Sequence, residues 1–412
     1  MANNLSELYA NKGAYEMATK DKSIYRFNEA RYKGFENTNQ FKIDSLDYIL
    51  HYLKINTAFN ENAVTTLNGS LVFESNRATT IKGSNEFGWD ASAFSKLYKT
   101  HNLEIASWDS IVPLKWTEKT ITAALSDLTA TTSNDNTTFT KKYDFKNLQY
   151  DDHGVVLFDK QLNSKFNAGA ISFTADSSIA YFTRNLVNTN KIHQLEIWSA
   201  TKSSDSWTNL TRLNFNNKDA SYSHPAISKD GNTLYLISDQ MGGQGGTDIY
   251  YTKKDASGQW GSLVNAGAIV NTSANELYPS FSEGELYFSS NGHPGLGGLD
   301  IYKAVFTNGK ITSVENIGYP VNSNMDDMSY SKIGSKGYFV SNRFGSDDIL
   351  SFDYKLAKIL LKGKVELSDG SKPIIKVNLY NTANTLLESV NTDLNGYYSL
   401  YVRPNRVFQI QA

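Results

Sequence analysis

Glycine and aspartate are the residues whose spacing first suggests chemistry in this chain. The stretch SDQMGGQGGTDIYYTKK, residues 238–254, places four glycines ahead of an aspartate. Glycine loops that hold a phosphate are followed by a helix whose first N–H groups face the ligand. Residues 247–252 instead contain Ile, Tyr and Thr, which favour a strand. A phosphate loop is therefore disfavoured here.

A tight turn explains the same stretch. Glycine adopts positive φ at low cost, and an aspartate beside a turn accepts hydrogen bonds from it. We therefore predict a structural turn whose glycines take positive φ and whose aspartate, Asp248, accepts hydrogen bonds. The turn glycines are Gly242, Gly243, Gly245 and Gly246. A calcium site at the aspartate is the alternative.

The pattern recurs twice downstream. ELYFSSNGHPGLGGLDIYKA (285–304) and KGYFVSNRFGSDDILSFD (336–353) keep the aromatic strand, the turn and the aspartate. The three aspartates, Asp248, Asp300 and Asp348, are 52 and 48 residues apart. Two further markers follow this period over five units. An apolar residue of the first recognisable strand stands at Phe73, Phe182, Leu236, Phe288 and Phe339. An upstream asparagine stands at Asn56, Asn163, Asn217, Asn271 and Asn322.

Units of 40 to 50 residues with several short strands are typical of β-propeller blades. In the third unit we predict the strands HPAISK, TLYLIS, TDIYYTK and WGSLVNAG. A single blade cannot bury both faces, so the blades must stack around an axis. The step from Phe73 to Phe182 is 109 residues. It indicates an insertion at about residues 116–150, which gives five blades, or a degenerate sixth blade as the alternative.

Arginines could support a second kind of chemistry. SKDGNTLY, residues 228–235, resembles the aspartate box of sialidase propellers but lacks one residue and its Trp. A sialidase also needs an arginine cluster. Arg77, Arg184 and Arg343 fall in the same part of different units. We consider them as candidates for a shared position on the rim, with surface ion pairs as the alternative.

Other catalytic and binding signatures are missing from the sequence. It has no Cys, no Gly-x-Ser-x-Gly motif and no two of its six histidines at short metal-ligand spacing. We therefore predict no catalytic residue, no metal site and no cofactor. The formal net charge is −2, which disfavours nucleic acid as a partner. No apolar run reaches the roughly 20 residues of a membrane helix.

The flanks differ from the repeats. Residues 1–50 predict a short helical N-terminal segment, and SLDYILHYLKIN (45–56) predicts a strand that closes the ring on the last unit. The propeller is assigned to residues 51–356. Residues 357–412 contain five alternating strands and predict a small β-sandwich of transthyretin or immunoglobulin type. Because the chain stops at a strand, we expect it to be part of a longer protein. The predicted fold class is thus mainly β.

The repeated motifs, written INxxF, LYFxSN and GGxGGxDIY, together with GKV, VNLYN and NTDLNGYYSL of the sandwich, support a family resemblance. Residues 51–412 resemble OmpA-family envelope proteins of Bacteroidetes, among them PorE-type components of type IX secretion. These look like a TolB-like propeller followed by a carboxypeptidase-regulatory-like domain. The resemblance implies a lipoprotein anchored in the outer membrane and a peptidoglycan-binding OmpA-like domain beyond residue 412.

The resemblance also implies a role. It predicts a non-enzymatic periplasmic scaffold that links an outer-membrane or periplasmic protein complex to the cell wall. Peptidoglycan would be bound through a domain that is not in this chain, and neither a signal nor a lipid anchor is present in it. The alternative is a propeller that binds, or less readily processes, a glycan or peptide.

Overall fold

The structure is a computed structural model in which strands dominate. It describes residues 33–34, 38–57, 59–77, 94–106, 153–163, 168–187 and 193–412. The predicted mainly β fold is confirmed. The N-terminal part described contains helix α1 (Thr38–Phe41), a 3-10 turn (Ser45–Asp47) and strand β1 (Tyr48–Tyr52). None of the helices described is long and apolar enough to cross a membrane.

Five antiparallel sheets of four strands follow, numbered in chain order. The first contains β2 (Glu61–Leu67), β3 (Ser70–Ser75), β4 (Lys96–Thr100) and β5 (Val156–Leu157). The second contains β6 (Ala168–Phe173), β7 (Ile179–Val187), β8 (His193–Ser203) and β9 (Ser206–Arg212). The third contains β10 (Tyr222–Ile227), β11 (Thr233–Ser238), β12 (Asp248–Lys253) and β13 (Val264–Asn265).

The fourth sheet contains β14 (Glu276–Ser282), β15 (Glu285–Ser290), β16 (Asp300–Thr307) and β17 (Lys310–Asn316). The fifth contains β18 (Asp327–Ile333), β19 (Lys336–Ser341) and β20 (Asp348–Tyr354), and its fourth strand is β1. Strand order in every sheet follows the chain, apart from β1. The four strands predicted for the third unit are confirmed as β10 to β13.

Local sequence explains the hairpins. Asn68 and Gly69 both have positive φ in the turn between β2 and β3, and so do Asn308 and Gly309 between β16 and β17. Two consecutive residues with positive φ form the turn type whose twist matches the two flanking strands. Asn-Gly is the sequence that adopts it most easily.

The five sheets are arranged around an axis in a propeller-like manner. Each first strand packs against the first strand of the next sheet, and β18 packs against β2, which closes the cycle. A hydrophobic core fills each of the five gaps between neighbouring sheets. The five apolar markers of the sequence repeat are at most 1% exposed in these cores. Burial of such side chains stabilises each gap by roughly 2 to 3 kcal/mol per residue.

Strand β1 closes the ring. It pairs antiparallel with β20 from Tyr48 opposite Tyr354 to Tyr52 opposite Leu350. The prediction that residues 45–56 supply a closing strand is confirmed. Closure of this kind removes an exposed sheet edge, at which another chain could otherwise add a strand.

The C-terminal residues form two smaller sheets. One pairs β21 (Ile359–Lys364) with β24 (Tyr397–Val402); the other has the order β23 (Leu386–Asn391), β22 (Lys376–Asn381), β25 (Phe408–Gln411). All five strands lie where the sequence predicts them. Val377, Leu379 and Leu400 form the small core between the two sheets.

Asp47 connects this small domain to the ring. Its carboxylate binds the Arg403 guanidinium and accepts the N–H of Ala357, at 2.8 Å, while its carbonyl accepts the N–H of Lys355. Asp47 is 2% exposed. The residue that precedes the closing strand therefore also holds the first turn after β20 and the sandwich. Residues 1–32 and the predicted insertion at 116–150 lie outside the described residues.

Candidate functional site

A row of mainly polar side chains crosses one end of every sheet, with Ala168 as the apolar first member in the second sheet. It joins the first residue of the first strand, a residue at or near the end of the second strand and a residue in the first part of the third. In the fourth sheet the row is Glu276, Ser290 and Asp300, and in the fifth it is Asp327, Ser341 and Asp348. The loops at this end join second to third strands and each sheet to the next. We call this end of the ring the Gly-turn face and the opposite end the hairpin face.

The glycine stretch lies in the row of the third sheet and is a turn. It connects β11 to β12, so a strand and not a helix follows the glycines. Asp248 accepts the N–H groups of Gln244 and Gly245, the latter at 3.1 Å, and the Asn265 amide at 3.0 Å. The carboxylate is 1% exposed. The carboxylate oxygens thus accept the N–H groups of the turn, and the turn shields the carboxylate from solvent.

Positive φ is the wrong explanation for three of the four glycines. Only Gly242 has positive φ, at 90°. A Cβ on Gly243 would collide with the Asp248 carboxylate, and one on Gly245 would lie 2.5 Å from Thr272 O. A Cβ on Gly246 would collide with the Asn275 side chain. Gly245 and Gly246 are required because the turn packs directly on the loop that leads into the fourth sheet, and Gly243 because Asp248 fills the space beside it.

This packing forms a joint between sheets. Thr247 N donates to Asn275 Oδ1 at 3.2 Å, and Thr247 O accepts the N–H of Glu276 at 2.8 Å. The same joint recurs between the fourth and fifth sheets, where Leu299 N donates to Asp326 Oδ1 at 2.7 Å. It recurs again at ring closure, where Asp347 N donates to Asn60 Oδ1 at 3.2 Å.

The third aspartate of the repeat has different partners. Asp348 accepts the Tyr52 hydroxyl at 3.1 Å and the Ser346 hydroxyl at 3.3 Å. Burial, together with the nearby Glu61 carboxylate, raises the pKa of Asp348 to about 8. Tyr52 belongs to the closing strand, so this aspartate links the ring closure to the polar row.

The three candidate arginines do not share a position. Arg77 and Arg343 are equivalent: each follows the serine of its row by two residues, and they bind the buried acids Glu61 (3.0 Å) and Asp327. Arg184 instead occupies the place of that serine in β7, with its guanidinium 5.2 Å from the Trp198 ring centre. The predicted common rim position is therefore wrong, because Arg184 lies two positions earlier in its unit than Arg77 and Arg343 do. Arg77 and Arg343 also neutralise buried carboxylates.

The third acid of this type is Glu276. It accepts the Thr272 hydroxyl and the Ser290 hydroxyl, both at 2.7 Å, and the N–H of Thr272 at 2.9 Å. No cation contacts Glu276 among the described residues, and burial raises its pKa to about 6. All three acids begin a first strand and hold the loop before it.

In the loop that leaves each sheet, an asparagine makes hydrogen bonds back to the third strand of that sheet. The side-chain amide donates to the carbonyl and accepts the N–H of one residue on the third strand of the preceding sheet. The pairs are Asn56 with Ile349, Asn163 with Leu97, Asn216 with Ile197, Asn271 with Ile249 and Asn322 with Ile301. The amide oxygen thereby accepts an N–H that would otherwise need a backbone acceptor at the point where the fourth strand has ended. In the first four sheets the carbonyl also accepts a backbone N–H.

One asparagine assigned to the sequence repeat, Asn217, is not the residue that makes this contact, so that assignment is wrong. Asn217 is exposed and binds the Tyr222 hydroxyl, whereas its neighbour Asn216 makes the double contact with Ile197. Two adjacent asparagines in FNNKD leave the phase ambiguous by one residue, and the sheet register resolves it.

The axis of the ring is narrow. Each first strand contains a β-bulge, and one residue of every bulge has positive φ. These residues are Ala63, Ala170, His224, Tyr278 and Ser329. They line a cavity of about 60 Å³. Sites for small organic ligands are about 300 Å³ or more, so this cavity holds about two waters.

His224 and Tyr278 are the two large side chains among the five bulge residues that line this cavity. Their rings stack with centres 4.0 Å apart, and His224 Nδ1 accepts the N–H of Tyr278 at 3.1 Å. Burial lowers the pKa of His224 to about 3, so the imidazole is neutral. Burial also raises the pKa of Tyr278, and Glu74 and Asp347 raise it further. The pair fills the channel with two neutral rings.

The two ends of the ring differ in charge. On the Gly-turn face, the loop 53–60 from the fifth sheet to the first contains Lys54, whereas five loops of the third to fifth sheets contain neither Lys nor Glu. These loops are 239–247, 266–275, 291–299, 317–326 and 342–347. Their exposed large apolar side chains are Met241 (99%), Tyr319 (45%), Ile269 (44%) and Met325 (39%). The turns and strand ends of the hairpin face carry Lys229, Lys254, Glu283, Lys310 and Lys336. Protein interfaces are depleted in Lys and Glu and enriched in Met and Tyr.

Comparisons with known proteins give structural likeness only. No protein-family model and no curated protein matches the chain. TolB from Acinetobacter baumannii is 15% identical over 60% of this chain, with a TM-score of 0.32, and the match spans 57% of TolB. A thermostable family-43 glycoside hydrolase is 12% identical, with 74% of this chain and 91% of that chain covered and a TM-score of 0.41. A puromycin-hydrolysing peptidase of Mycobacterium tuberculosis is 9% identical over 85% of this chain and 38% of its own, with a TM-score of 0.33.

Sequence reasoning missed the acids that begin the first strands and the bulges of the channel. Glu61, Glu276 and Asp327 each follow a Thr or Ser by four residues, which is a detectable signal. The bulge residues share neither type nor charge, so their common backbone conformation is invisible in the sequence. Metal ligands were not predicted, and the described residues contain no cluster of three or more His, Asp or Glu suited to a metal ion.

Proposed function

We propose that this chain is a non-enzymatic scaffold of a bacterial cell envelope that binds a partner protein through the Gly-turn face. The fold proposed is a five-bladed propeller followed by a transthyretin- or immunoglobulin-like sandwich. The partner is an outer-membrane or periplasmic complex, as in type IX secretion. Peptidoglycan is bound through a domain outside this chain, which would place the protein in the periplasm at the outer membrane.

The observation that carries this proposal is the composition of the Gly-turn face. Five of its loops, between residues 239 and 347, lack Lys and Glu, and they expose Met241, Ile269, Tyr319 and Met325. Because desolvating a Lys or Glu is costly, a surface free of both is suited to association. The joints between sheets hold these loops by backbone hydrogen bonds, so little entropy is lost when a partner binds.

The polar groups of the rows support a structural role. Glu61 and Asp327 are neutralised by Arg77 and Arg343, and Asp248 is saturated by its own turn. A general acid or base must reach a substrate proton, and these carboxylates are at most 1% exposed. The proposal of five blades is supported by the closed cycle of five first strands.

The experiment is affinity capture with a matched pair of variants. The chain is immobilised and exposed to solubilised outer-membrane extract, and the contacts of captured proteins are mapped by cross-linking. The double variant Ile269→Asp, Met325→Asp on the Gly-turn face should lose the captured complex. The control Phe306→Asp, Ile333→Asp alters equally exposed apolar residues elsewhere on the ring and should retain it. Capture of no envelope protein, by this chain and by the full-length protein alike, would refute the scaffold.

The alternative function, binding of a glycan or peptide in the channel, has less support. The stacked pair His224 and Tyr278 could contact a ligand, but the cavity beside it is about 60 Å³. A single sugar ring does not fit this volume. Saturable binding on a glycan panel that Tyr278→Ala abolishes would favour this function over the scaffold.

A further inference from the structure

Two turns of the Gly-turn face are built alike. Ser238 to Asp248 in the third sheet and Ser290 to Asp300 in the fourth have the same length. Asp300 accepts the N–H groups of Leu296 (2.6 Å) and Gly297 (3.2 Å), as Asp248 does with Gln244 and Gly245. We call them turn 3 (239–247) and turn 4 (291–299).

The contacts of the two turns with the next sheet are also equivalent. Gly245 and Gly297 approach the carbonyls of the following loop, and Gly246 and Gly298 approach the side chain at its end. By this correspondence Gly243 of turn 3 matches Gly295 of turn 4. A Cβ on either glycine would collide with the aspartate of its own turn. The two turns are therefore equivalent from Gly243 and Gly295 onwards, and they differ at the residue before, where turn 3 has Gly242 with φ of 90° and turn 4 has Pro294.

Turn 4 is covered by another part of the chain. Lys33 and Gly34 have helical backbone, and a Cβ on Gly34 would collide with Gly295 O and lie 2.6 Å from Gly295 N. Gly34 and Gly295 are both buried. Position 34 therefore requires glycine because its Cβ would enter the Gly295 backbone, whereas position 295 requires glycine because its Cβ would collide with Asp300.

None of the described residues covers turn 3 in this way. Met241 to Gly246 are six consecutive exposed residues, and Met241 is 99% exposed. The corresponding residue of turn 4, His293, is directed inward, where its Nε2 lies 2.8 Å from Val270 O. Turn 3 thus has the same glycine surface as turn 4, but with a flexible thioether at its edge. Methionine adapts to the shape of a bound surface and is common at docking sites.

We propose that turn 3 is the docking site for a helical segment of the partner protein that presents a glycine, as Gly34 does at turn 4. This inference rests on the proposed scaffold function and specifies its contact. The occupant's glycine lies on Gly243, and its neighbouring apolar side chains pack on Met241. The chain itself supplies the model for the occupant, because Gly34 contacts the corresponding glycine of turn 4.

The probe is a labelled synthetic peptide of residues 27–42, added to the whole chain and followed by fluorescence anisotropy. Saturable binding is expected. The Gly34→Leu peptide should bind at least tenfold more weakly, because its side chain cannot enter the glycine contact. Met241→Asp in the protein should also weaken binding at least tenfold. Val407→Asp, at an apolar position 73% exposed in the sandwich, is the matched control and should bind as the wild type does.

Three outcomes would overturn the inference. They are no binding of the peptide, equal binding of the two peptides, and equal binding by the wild type and Met241→Asp. The last result would indicate that the peptide replaces residues 33–34 at turn 4. Self-association of the chain that Met241→Asp abolishes would also overturn it, since the occupant would then be a second copy.

Affinity capture separates this inference from the scaffold function. If the wild type and Met241→Asp capture the same envelope complex equally, the scaffold stands and turn 3 is not its contact. If the wild type captures none, the scaffold itself fails. A supporting result requires both loss of the complex in Met241→Asp and discrimination between the two peptides.

Discussion

The side-chain amide of Asn322 makes hydrogen bonds with both backbone groups of Ile301, the N–H and the carbonyl. The side-chain Nδ2 donates to Ile301 O and Oδ1 accepts the N–H of Ile301, each at 2.8 Å. Asn322 is 0% exposed. The amide side chain thereby binds the edge of the third strand as the backbone of a neighbouring strand would. The same contact repeats between every pair of neighbouring sheets. The ring is thus held by five equivalent polar contacts as well as by its apolar cores.

The adjacent residues Asn216 and Asn217 test this contact. Asn216→Ala leaves the N–H of Ile197 buried without its acceptor, while the carbonyl keeps the N–H of Leu213, so we expect the free energy of unfolding to fall by about 1 to 3 kcal/mol. Asn217→Ala removes an exposed asparagine and should cost less than about 1 kcal/mol. Urea unfolding of the two variants measures the difference. Equal losses would show that the double contact contributes no special stability.

Two glycines of turn 3 test whether close packing or a positive φ is the stronger reason for glycine in this turn. Gly245→Ala places a methyl group against the carbonyls of Thr272 and Ala274, and backbone must move, so we expect a loss of about 2 to 4 kcal/mol. Gly242→Ala has open space but keeps φ near 90°, which should cost about 1 to 2 kcal/mol. Thermal unfolding compares the two. A larger loss for Gly242→Ala would contradict the packing explanation.

Asp348 should make stability depend on pH. Its folded-state pKa of about 8 lies above the value of about 3.9 in an unfolded chain. Between these values the unfolded chain has released the proton and the folded protein keeps it. Stability contributed by the neutral carboxyl is therefore complete below pH 4 and falls as the pH rises towards 8.

Asp348→Asn retains a neutral group and should remove this part of the pH dependence. The difference in urea midpoint between variant and wild type should grow in favour of the variant from pH 5 to pH 8. Asp230→Asn is the control, because hydrogen bonds within its exposed turn lower the pKa of Asp230. That control should leave the slope between pH 5 and pH 8 unchanged. A variant with the wild-type slope would refute the assignment.

Arg403 and Arg406 test the connection between ring and sandwich. Arg403→Ala leaves the buried Asp47 carboxylate without its cation and should cost about 3 kcal/mol. Arg406 contacts only the half-exposed Asp44 carboxylate, so Arg406→Ala should cost less than about 1 kcal/mol. Proteolysis at the connector 355–358 should accelerate in the first variant alone. Equal rates in both variants would indicate that Asp47 does not couple the domains.

Much of the fold could be predicted from the sequence, because the signals are local and repeated. Alternating apolar residues, the Asp230-Gly231 turn of the third sheet and the Asn395-Gly396 turn of the sandwich predict the strands of these two parts of the chain. The closing strand β1 could be predicted too, since a strand outside the repeats has an open edge as its natural partner. The functional face could not, because the loops that form it are far apart in the chain.

The errors have one physical cause. Gly245 is a glycine because of a carbonyl in the next sheet, and Arg184 differs from Arg77 because strand register places it on a serine position. Both features depend on contacts between segments that are far apart in the chain.

The sequence by itself determined the repeat, the strands and the turns, since hydrophobic period and turn chemistry act between residues close in the chain. Only the tertiary structure decided which asparagine fastens each sheet, which carboxylates are neutralised and which glycine turn stays exposed. Those outcomes depend on burial and on contacts between units about 50 residues apart. A local pattern carries no information about them, because Gly243 and Gly295 stand in turns of equal length, yet only Gly295 is covered.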